Sequence, residues 1–369
     1  MIPNHTFSEV IVTILQRDFD DLADEIFEKS PLLQYINIKT RSASRGSKSR
    51  ASFANLYAIY ILVEDYVSHN FHEHDSYTQY EGAKYSDLLA RQRELPFGQK
   101  LQNHALNHRL NQEFRKYFPQ SDYAPIMRDS ETKRYWINEQ LLKVTIANKT
   151  YNISLSIIAI VDAYIIAKRT SLELFLADCE RLQQAENQAG NEDEVLAFIK
   201  GLLRPNVDAR IFEIVSFAIL KHYYADIKIY WGWKRDDIRE DLLTLFKTGR
   251  TNANDGGIDF VMRPLGRFFQ VTETTDVRKF FLDIDKVQKY PITFVVKSKN
   301  PVEDLLNAME SQAKNLYTVQ HIVDKYMQSI ETIINIPILA DYINQVRDKN
   351  RLDAVLNDII LHSKTEFNQ

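Results

Sequence analysis

Apolar residues recur with two different spacings along the chain. Residues 7–35 and 52–67 have apolar positions every three or four residues, which predicts helices with one buried face. Segment 153–167 is the most apolar, but two serines and an aspartate interrupt it, so we expect a core helix and not a membrane span. Beyond residue 301 the helical spacing returns and predicts two or three amphipathic helices.

A period of two, which is typical of strands, marks residues 260–272. In this period Phe268, Gln270 and Thr272 share one face of a strand. The run Pro264-Leu265-Gly266 supplies a turn ahead of them. The segment therefore predicts a hairpin with polar side chains on one strand.

A glycine-rich run, Asp255-Gly256-Gly257-Ile258-Asp259, adjoins this hairpin. Its glycines permit backbone conformations that are closed to other residues. Asp259, at an end of the first strand, can therefore aim its carboxylate at the Gln270 side. Taken alone, the run also fits a simple turn that Asp259 caps.

Three further segments surround the hairpin. Residues 210–224 predict an apolar helix that carries Phe212-Glu213, and residues 290–298 predict a buried strand. Between that helix and the hairpin, residues 236–247 predict an inserted helix whose first turn is acidic.

The helix, the glycine-rich run, the hairpin and the buried strand resemble, in this order, the nuclease core of the PD-(D/E)xK superfamily, and specifically its Mrr-like branch. That branch carries Asp-Gly-Gly-Ile-Asp, a hairpin and then Gln-x-Lys, with a Phe-Glu pair on the preceding helix. The resemblance covers residues 200–300 and implies an α/β (α+β) fold with a restriction-endonuclease-like core, a mixed central sheet flanked by helices. One position departs from the pattern, because Thr272 stands where the family has lysine.

The resemblance also implies a Mg²⁺ site. Asp259 would be the principal ligand, with the carbonyl of Val271 and the carboxylate of Glu213 as further oxygen donors, which Mg²⁺ prefers. Gln270 takes the family position of a second acid. The expected catalytic residues are therefore Asp259, Gln270, Thr272 and Glu213.

Thr272 leaves the role of the family lysine open, since a hydroxyl can only form hydrogen bonds. A cation from elsewhere, such as Lys279, Lys297 or Arg267, would fill the role, or a second metal ion would. A third alternative is a degenerate site that binds DNA without cutting it. Glu273 is only an outside candidate, because it points to the opposite face of a regular strand.

A basic loop precedes the helix at 52–67. It carries Arg41, Arg45, Lys48 and Arg50 together with serines and no acid, so we expect it to contact DNA phosphates. The alternative is a solvated, flexible loop.

Asparagines repeat every four residues on a predicted helix that starts near residue 99. Asn103, Asn107 and the neighbouring Arg109 are expected to reach base edges, because such side chains pair with adenine and guanine. A polar helix face or a buried amide network explains the row equally well. His104 and His108 stand one turn apart, but zinc would need a further ligand.

Composition and charge exclude few functions. The 369 residues carry a formal net charge of −4, so any DNA-binding surface must be local. The single Cys179 excludes an internal disulfide framework and favours a reducing, cytoplasmic location. No phosphate-binding Gly-x-x-x-x-Gly-Lys-Ser/Thr pattern occurs, so no nucleotide cofactor is expected.

A polar, acidic segment at 184–194 predicts a domain boundary. We therefore expect a mostly helical DNA-recognition domain at 1–190, the nuclease core at 191–300 and a helical C-terminal extension at 301–369.

These features favour a type II restriction endonuclease. Such an enzyme would hydrolyse phosphodiester bonds of double-stranded DNA at a short sequence with Mg²⁺, as a homodimer that needs no membrane. The alternatives are a DNA repair or modification-dependent nuclease, and a catalytically degenerate DNA-binding protein.

Overall fold

The computed structural model describes residues 4–41, 49–74, 77–99, 101–184, 191–248, 258–273 and 275–367. Its contacts divide the chain into two compact units, residues 1–173 and residues 174–369. The division falls within a long helix, whereas the sequence pattern placed a boundary near residue 190. The mixed α/β fold class predicted from the sequence is confirmed.

The first unit is mostly helical and has a core rich in aromatic side chains, among which Tyr35, Tyr57, Phe114 and Tyr164 are fully buried. Its helices are α1 (Thr6–Phe19), α2 (Ala23–Lys29), α3 (Pro31–Thr40), α4 (Ser49–Ser68), α5 (Tyr85–Glu94), α6 (Leu110–Tyr117) and the greater part of α7 (Ser154–Gln184). Its strands are β1 (Ala83–Lys84), β2 (Ile126–Asp129), β3 (Arg134–Ile137), β4 (Lys143–Ile146) and β5 (Lys149–Asn152). They form a sheet in the order β1-β3-β2 and a separate β4-β5 hairpin.

The second unit contains both helices and strands. Its helices after α7 are α8 (Asn191–Gly201), α9 (Ala209–Tyr224), α10 (Val277–Lys286), α11 (Val302–Leu316), α12 (Gln320–Gln328), α13 (Ile336–Arg347) and α14 (Leu352–Phe367). Its strands are β6 (Lys228–Trp231), β7 (Arg239–Leu242), β8 (Thr244–Lys247), β9 (Phe260–Arg263), β10 (Arg267–Thr272), β11 (Ile292–Val296) and β12 (Ile330–Ile334).

Five of these strands form the central sheet, in the order β12-β11-β10-β9-β8. Strands β8, β9 and β10 are antiparallel, whereas β10, β11 and β12 are parallel. The turn between β9 and β10 contains Gly266 with φ of +67°, a conformation that glycine adopts without strain. The predicted hairpin and the buried strand after it are confirmed.

Helices cover both faces of this sheet. Phe269 and Val295 pack with α9, α13 and α14, whereas Phe294 and Val296 pack with α10 and α11. All five residues of β11 are buried, which explains its continuous apolar run in the sequence.

The prediction of an inserted helix at 236–247 is wrong. After a short 3₁₀ turn, this segment forms β7 and β8. Leu243 and Leu245 are buried while Thr244 and Phe246 are exposed, so the period of two decides the structure.

The segment from 301 to the C-terminus is not purely helical. Strand β12 lies parallel to β11 and completes the sheet, with Ile333 and Ile334 packed on opposite faces. Helices α13 and α14 pack against α9. The segment therefore belongs to the second unit and not to a separate extension.

We predict that Phe294→Ala strongly destabilises the second unit. Phe294 is fully buried, with its ring centroid 4.5 Å from that of Phe280, so the cavity should cost about 3–5 kcal/mol of unfolding free energy. The matched control, Phe246→Ala, removes a side chain that is 43% exposed and should cost less than about 1 kcal/mol. Urea denaturation would measure both, and equal losses would contradict this assignment of the core.

Candidate active site

The expected site residues meet at one end of the central sheet. In an antiparallel meander the end of β8, the start of β9 and the end of β10 lie at the same edge, and β11, parallel to β10, ends there too. This edge carries Lys247, Asp259, Gln270, Thr272 and Lys297. Residues 249–257, which include the two glycines of the sequence motif, lie outside the described residues.

Asp259 is held by hydrogen bonds to both neighbouring strands. Its backbone N–H donates to the carbonyl of Phe269 (2.9 Å), and its own carbonyl accepts from the N–H of Thr248 (3.0 Å). Its side-chain Oδ2 accepts from the N–H of Val271 at 2.6 Å. The carboxylate is buried. It accepts the Val271 N–H in place of a main-chain carbonyl, which β9 would have offered if it extended further.

Gln270, on the strand next to Asp259, has a buried acceptor. Its Nε2 donates to the carbonyl of Val271 at 3.3 Å, which fixes the amide orientation, since the flipped amide would oppose two carbonyl oxygens. Within the described part of the chain, Gln270 Oε1 is buried and has no hydrogen-bond partner. A buried acceptor without a donor is destabilising, so binding of a cation or a hydrogen-bond donor to this oxygen would be stabilising.

Thr272 has a lysine beside it. The Nζ of Lys279, in the first turn of α10, lies 3.4 Å from Thr272 Oγ1. Gln270 and Thr272 pair in register with Phe294 and Val296, so both side chains face α10. The adjacent helix thus places a lysine Nζ beside the Thr272 hydroxyl.

The other two candidate cations have different partners. Lys297 donates to Glu273 Oε1 at 2.6 Å and to the carbonyl of Val207. Arg267 pairs with Glu331 at 3.0 Å. Arg267 also lies five residues from Thr272, which is roughly 16 Å along a strand. The Nζ of Lys279 lies beside the Thr272 hydroxyl, whereas Lys297 contacts Thr272 through its backbone N–H, which donates to the Thr272 carbonyl at 2.9 Å.

Glu213, on α9, forms an ion pair with Lys247, a residue of this edge that the sequence analysis did not identify. Lys247 Nζ lies 3.1 Å from Glu213 Oε1, and both side chains are largely buried. Lys247 pairs in register with Phe260, the residue after Asp259. The alternating pattern of β8 would have predicted a strand that ends at Lys247, but residues 236–247 were incorrectly assigned to a helix.

The lysine charge also affects a histidine of α14. Burial lowers the pKa of His362, and the nearby positive charge of Lys247 lowers it further. His362 therefore adds little positive charge near this ion pair at neutral pH.

The donors at this edge fit a hard divalent cation. They are the carboxylate of Asp259, the carbonyl of Val271 and the unpaired amide oxygen of Gln270, all oxygens, and one firm carboxylate with weaker oxygens and water suits Mg²⁺. Among the described residues, no three His, Cys, Asp or Glu side chains cluster as a metal site. His104 and His108 accordingly stand as a pair, with ring centroids 6.1 Å apart.

The expected DNA contacts lie in the first unit. Arg41 is exposed, Arg45 and Lys48 fall outside the described residues, and Arg50 lies in the first turn of α4.

The asparagine row begins two residues before a π-helical turn, Ala105–Arg109, which precedes α6. Asn103 is half-buried and Arg109 is exposed, whereas Asn107 Oδ1 accepts from the hydroxyl of Tyr135 at 3.2 Å. The side chain of Asn111 bonds both backbone groups of Ile126. Two of the three asparagines, Asn107 and Asn111, thus have structural contacts.

Comparisons with known protein families, with curated proteins and with solved structures find no match to this chain. Across the described ranges, no helix is long and apolar enough to cross a membrane. Function must therefore be inferred from the chain's own residues.

We predict strong coupling between Lys247 and Glu213. Lys247→Met leaves a buried carboxylate without its lysine and should cost about 3–5 kcal/mol, whereas the double variant Lys247→Met/Glu213→Leu should cost less than the sum of the single changes. The control Lys314→Met breaks an exposed pair with Glu310 and should cost under about 1 kcal/mol. Additive losses in urea denaturation would disprove the coupling.

Proposed function

We propose that the chain is a type II restriction endonuclease that hydrolyses phosphodiester bonds in double-stranded DNA with Mg²⁺. The observation that carries this proposal is the grouping of Asp259, Val271, the unpaired Gln270 oxygen and the Lys279–Thr272 contact at one sheet edge. The order of helix α9, hairpin β9–β10, helix α10 and strand β11 also agrees with the PD-(D/E)xK resemblance.

The residues divide the chemistry among them. Mg²⁺, held by Asp259, the Val271 carbonyl and Gln270, would neutralise charge on the phosphate and promote ionisation of water. Glu213, expected as a further ligand, pairs with Lys247 in this structure. The N–H of Val271 orients the Asp259 carboxylate. Lys279, beside Thr272, supplies a positive charge for the phosphate oxygens as they become more negative.

Recognition would belong to the first unit, and cleavage of both strands needs two copies of the site. We propose phosphate contacts by Arg41, Arg45, Lys48 and Arg50. Asn103, Asn107 and Arg109 would contact base edges, with Asn107 having to leave Tyr135 to do so. A cytoplasmic homodimer would supply one site for each DNA strand.

A DNA-binding protein without catalysis is the second candidate, favoured by threonine at position 272. Incubation with unmethylated phage DNA and Mg²⁺ separates the candidates. Discrete fragments would support restriction, a smear would indicate a repair nuclease, and intact DNA that is nevertheless bound would favour the binding protein. Cleavage of methylated DNA alone would indicate a modification-dependent nuclease.

Asp259→Ala should abolish Mg²⁺-dependent cleavage and leave DNA binding largely intact, because the principal anionic ligand is lost while the proposed recognition residues of the other unit are unchanged. Cleavage would be followed on plasmid DNA, and binding by gel shift without Mg²⁺. The control Asp353→Ala removes a first-turn carboxylate of α14 and should cut normally. Cleavage by Asp259→Ala at a near wild-type rate would contradict the site.

Lys279→Ala should reduce the single-turnover cleavage rate by about 10²–10³, the usual effect of losing one donor to a developing charge. Thr272→Ala should lose less than about tenfold, since one neutral hydrogen bond contributes about 1 kcal/mol. Arg267→Ala, at the far end of β10, is the matched control and should cut within a few-fold of wild type. If the Ala variants of Lys279, Lys297 and Arg267 all retain full activity, a second metal ion is the surviving explanation.

A further inference from the structure

One side of the π-helical turn and of α6 is exposed and rich in nitrogen groups. The opposite side is fully buried through Leu106, Leu110 and Phe114, which fixes the orientation of the helix. The exposed side carries His104, His108, Arg115 and Lys116. Burial of the apolar stripe therefore holds these groups toward solvent.

The charge of this surface is not balanced locally. Of residues 104–117, three are Lys or Arg and one, Glu113, is acidic. Glu113 is turned inward, where it binds Lys39 and accepts from Asn55 Nδ2 at 2.7 Å. Within the described residues, neither Arg115 nor Lys116 forms a salt bridge, and the same holds for Arg109 and Arg128.

The amides of the same helix point elsewhere. Asn107 and Asn111 bond to Tyr135 and to the backbone of Ile126, toward strands β2 and β3. Arg128, on β2, donates to the carbonyl of Asn107 at 2.6 Å and remains exposed beside the helix. The cationic side and the amide side are thus distinct.

We propose that the exposed side, at His104, His108, Arg115 and Lys116, binds the phosphate backbone of duplex DNA. We call it the basic face. Residues 104–116 extend about 18 Å along the helix axis, which is the axial length of about five phosphates of one DNA strand. Cations without local carboxylate partners suit a polyanion, because binding displaces its condensed counterions. This inference rests on the proposed function and assigns backbone contact to a helix on which only base contacts were expected.

The test is the salt dependence of DNA binding by Arg115→Ala/Lys116→Ala. Fluorescence anisotropy with a labelled duplex, in EDTA so that no cleavage occurs, gives affinities at several salt concentrations. The slope of log affinity against log salt should fall by about two units, and affinity near 0.1 M salt should fall by tens of fold, equally for cognate and scrambled duplexes.

The matched control is Arg17→Ala/Lys29→Ala. These exposed cations of the same unit pair with Asp18 and Glu25, and their loss should leave the slope unchanged. Circular dichroism and thermal midpoints of both variants should equal those of the wild type, because all four side chains are exposed.

Two results would overturn the inference while the proposed function stands. In the first, the wild-type protein cuts DNA, but Arg115→Ala/Lys116→Ala has the same slope of log affinity against log salt as the wild type. The other is a loss confined to the cognate duplex, which would mean that this face reads bases. Wild-type protein that neither binds nor cuts DNA would instead refute the proposed function itself.

Discussion

Strand β10 is bonded to an antiparallel neighbour on one side and to a parallel neighbour on the other, and the candidate site depends on this arrangement. The main-chain hydrogen bonds between β10 and β9 end at Val271, whose N–H donates to the side-chain carboxylate of Asp259 instead of to a main-chain carbonyl. Strand β11 continues beside β10 to Thr272. The regular pairing of β9 with β10 therefore ends next to Asp259, at the end of the sheet that also carries Gln270 and Thr272.

Buried polar groups at this end of the sheet need partners, and lysines provide several of these partners. Lys247 pairs with Glu213, Lys297 with Glu273, and Lys279 contacts Thr272. Capping and metal binding by Asp259 are compatible, since a carboxylate offers about four lone-pair positions. The contact of Asp259 with the Val271 N–H is therefore compatible with metal binding and does not demonstrate it.

Much of the second unit could be predicted because its signals are local. The hairpin at 260–272 follows from alternation and a turn, and β11 from a continuous apolar run. Strand β12 was missed because Ile330 and Ile333 also fit a helical spacing, and only pairing with β11 makes it a strand. Contacts that depend on tertiary structure could not be read from the pattern at all, as with Asn111 and the backbone of Ile126.

Helix α9 depends on residues far along the chain. Every residue from 212 to 220 is buried, with the sheet on one side and α13 and α14 on the other, so neither neighbour alone covers it. On a ribosome that adds about 5–20 residues per second, the segment between α9 and α13 takes roughly 6–22 s to synthesise. During that interval a nascent chain presents an uncovered apolar helix to chaperones and to other chains. The separation of α9 from α13 in sequence, more than the stability of the sheet, sets how long this exposure lasts.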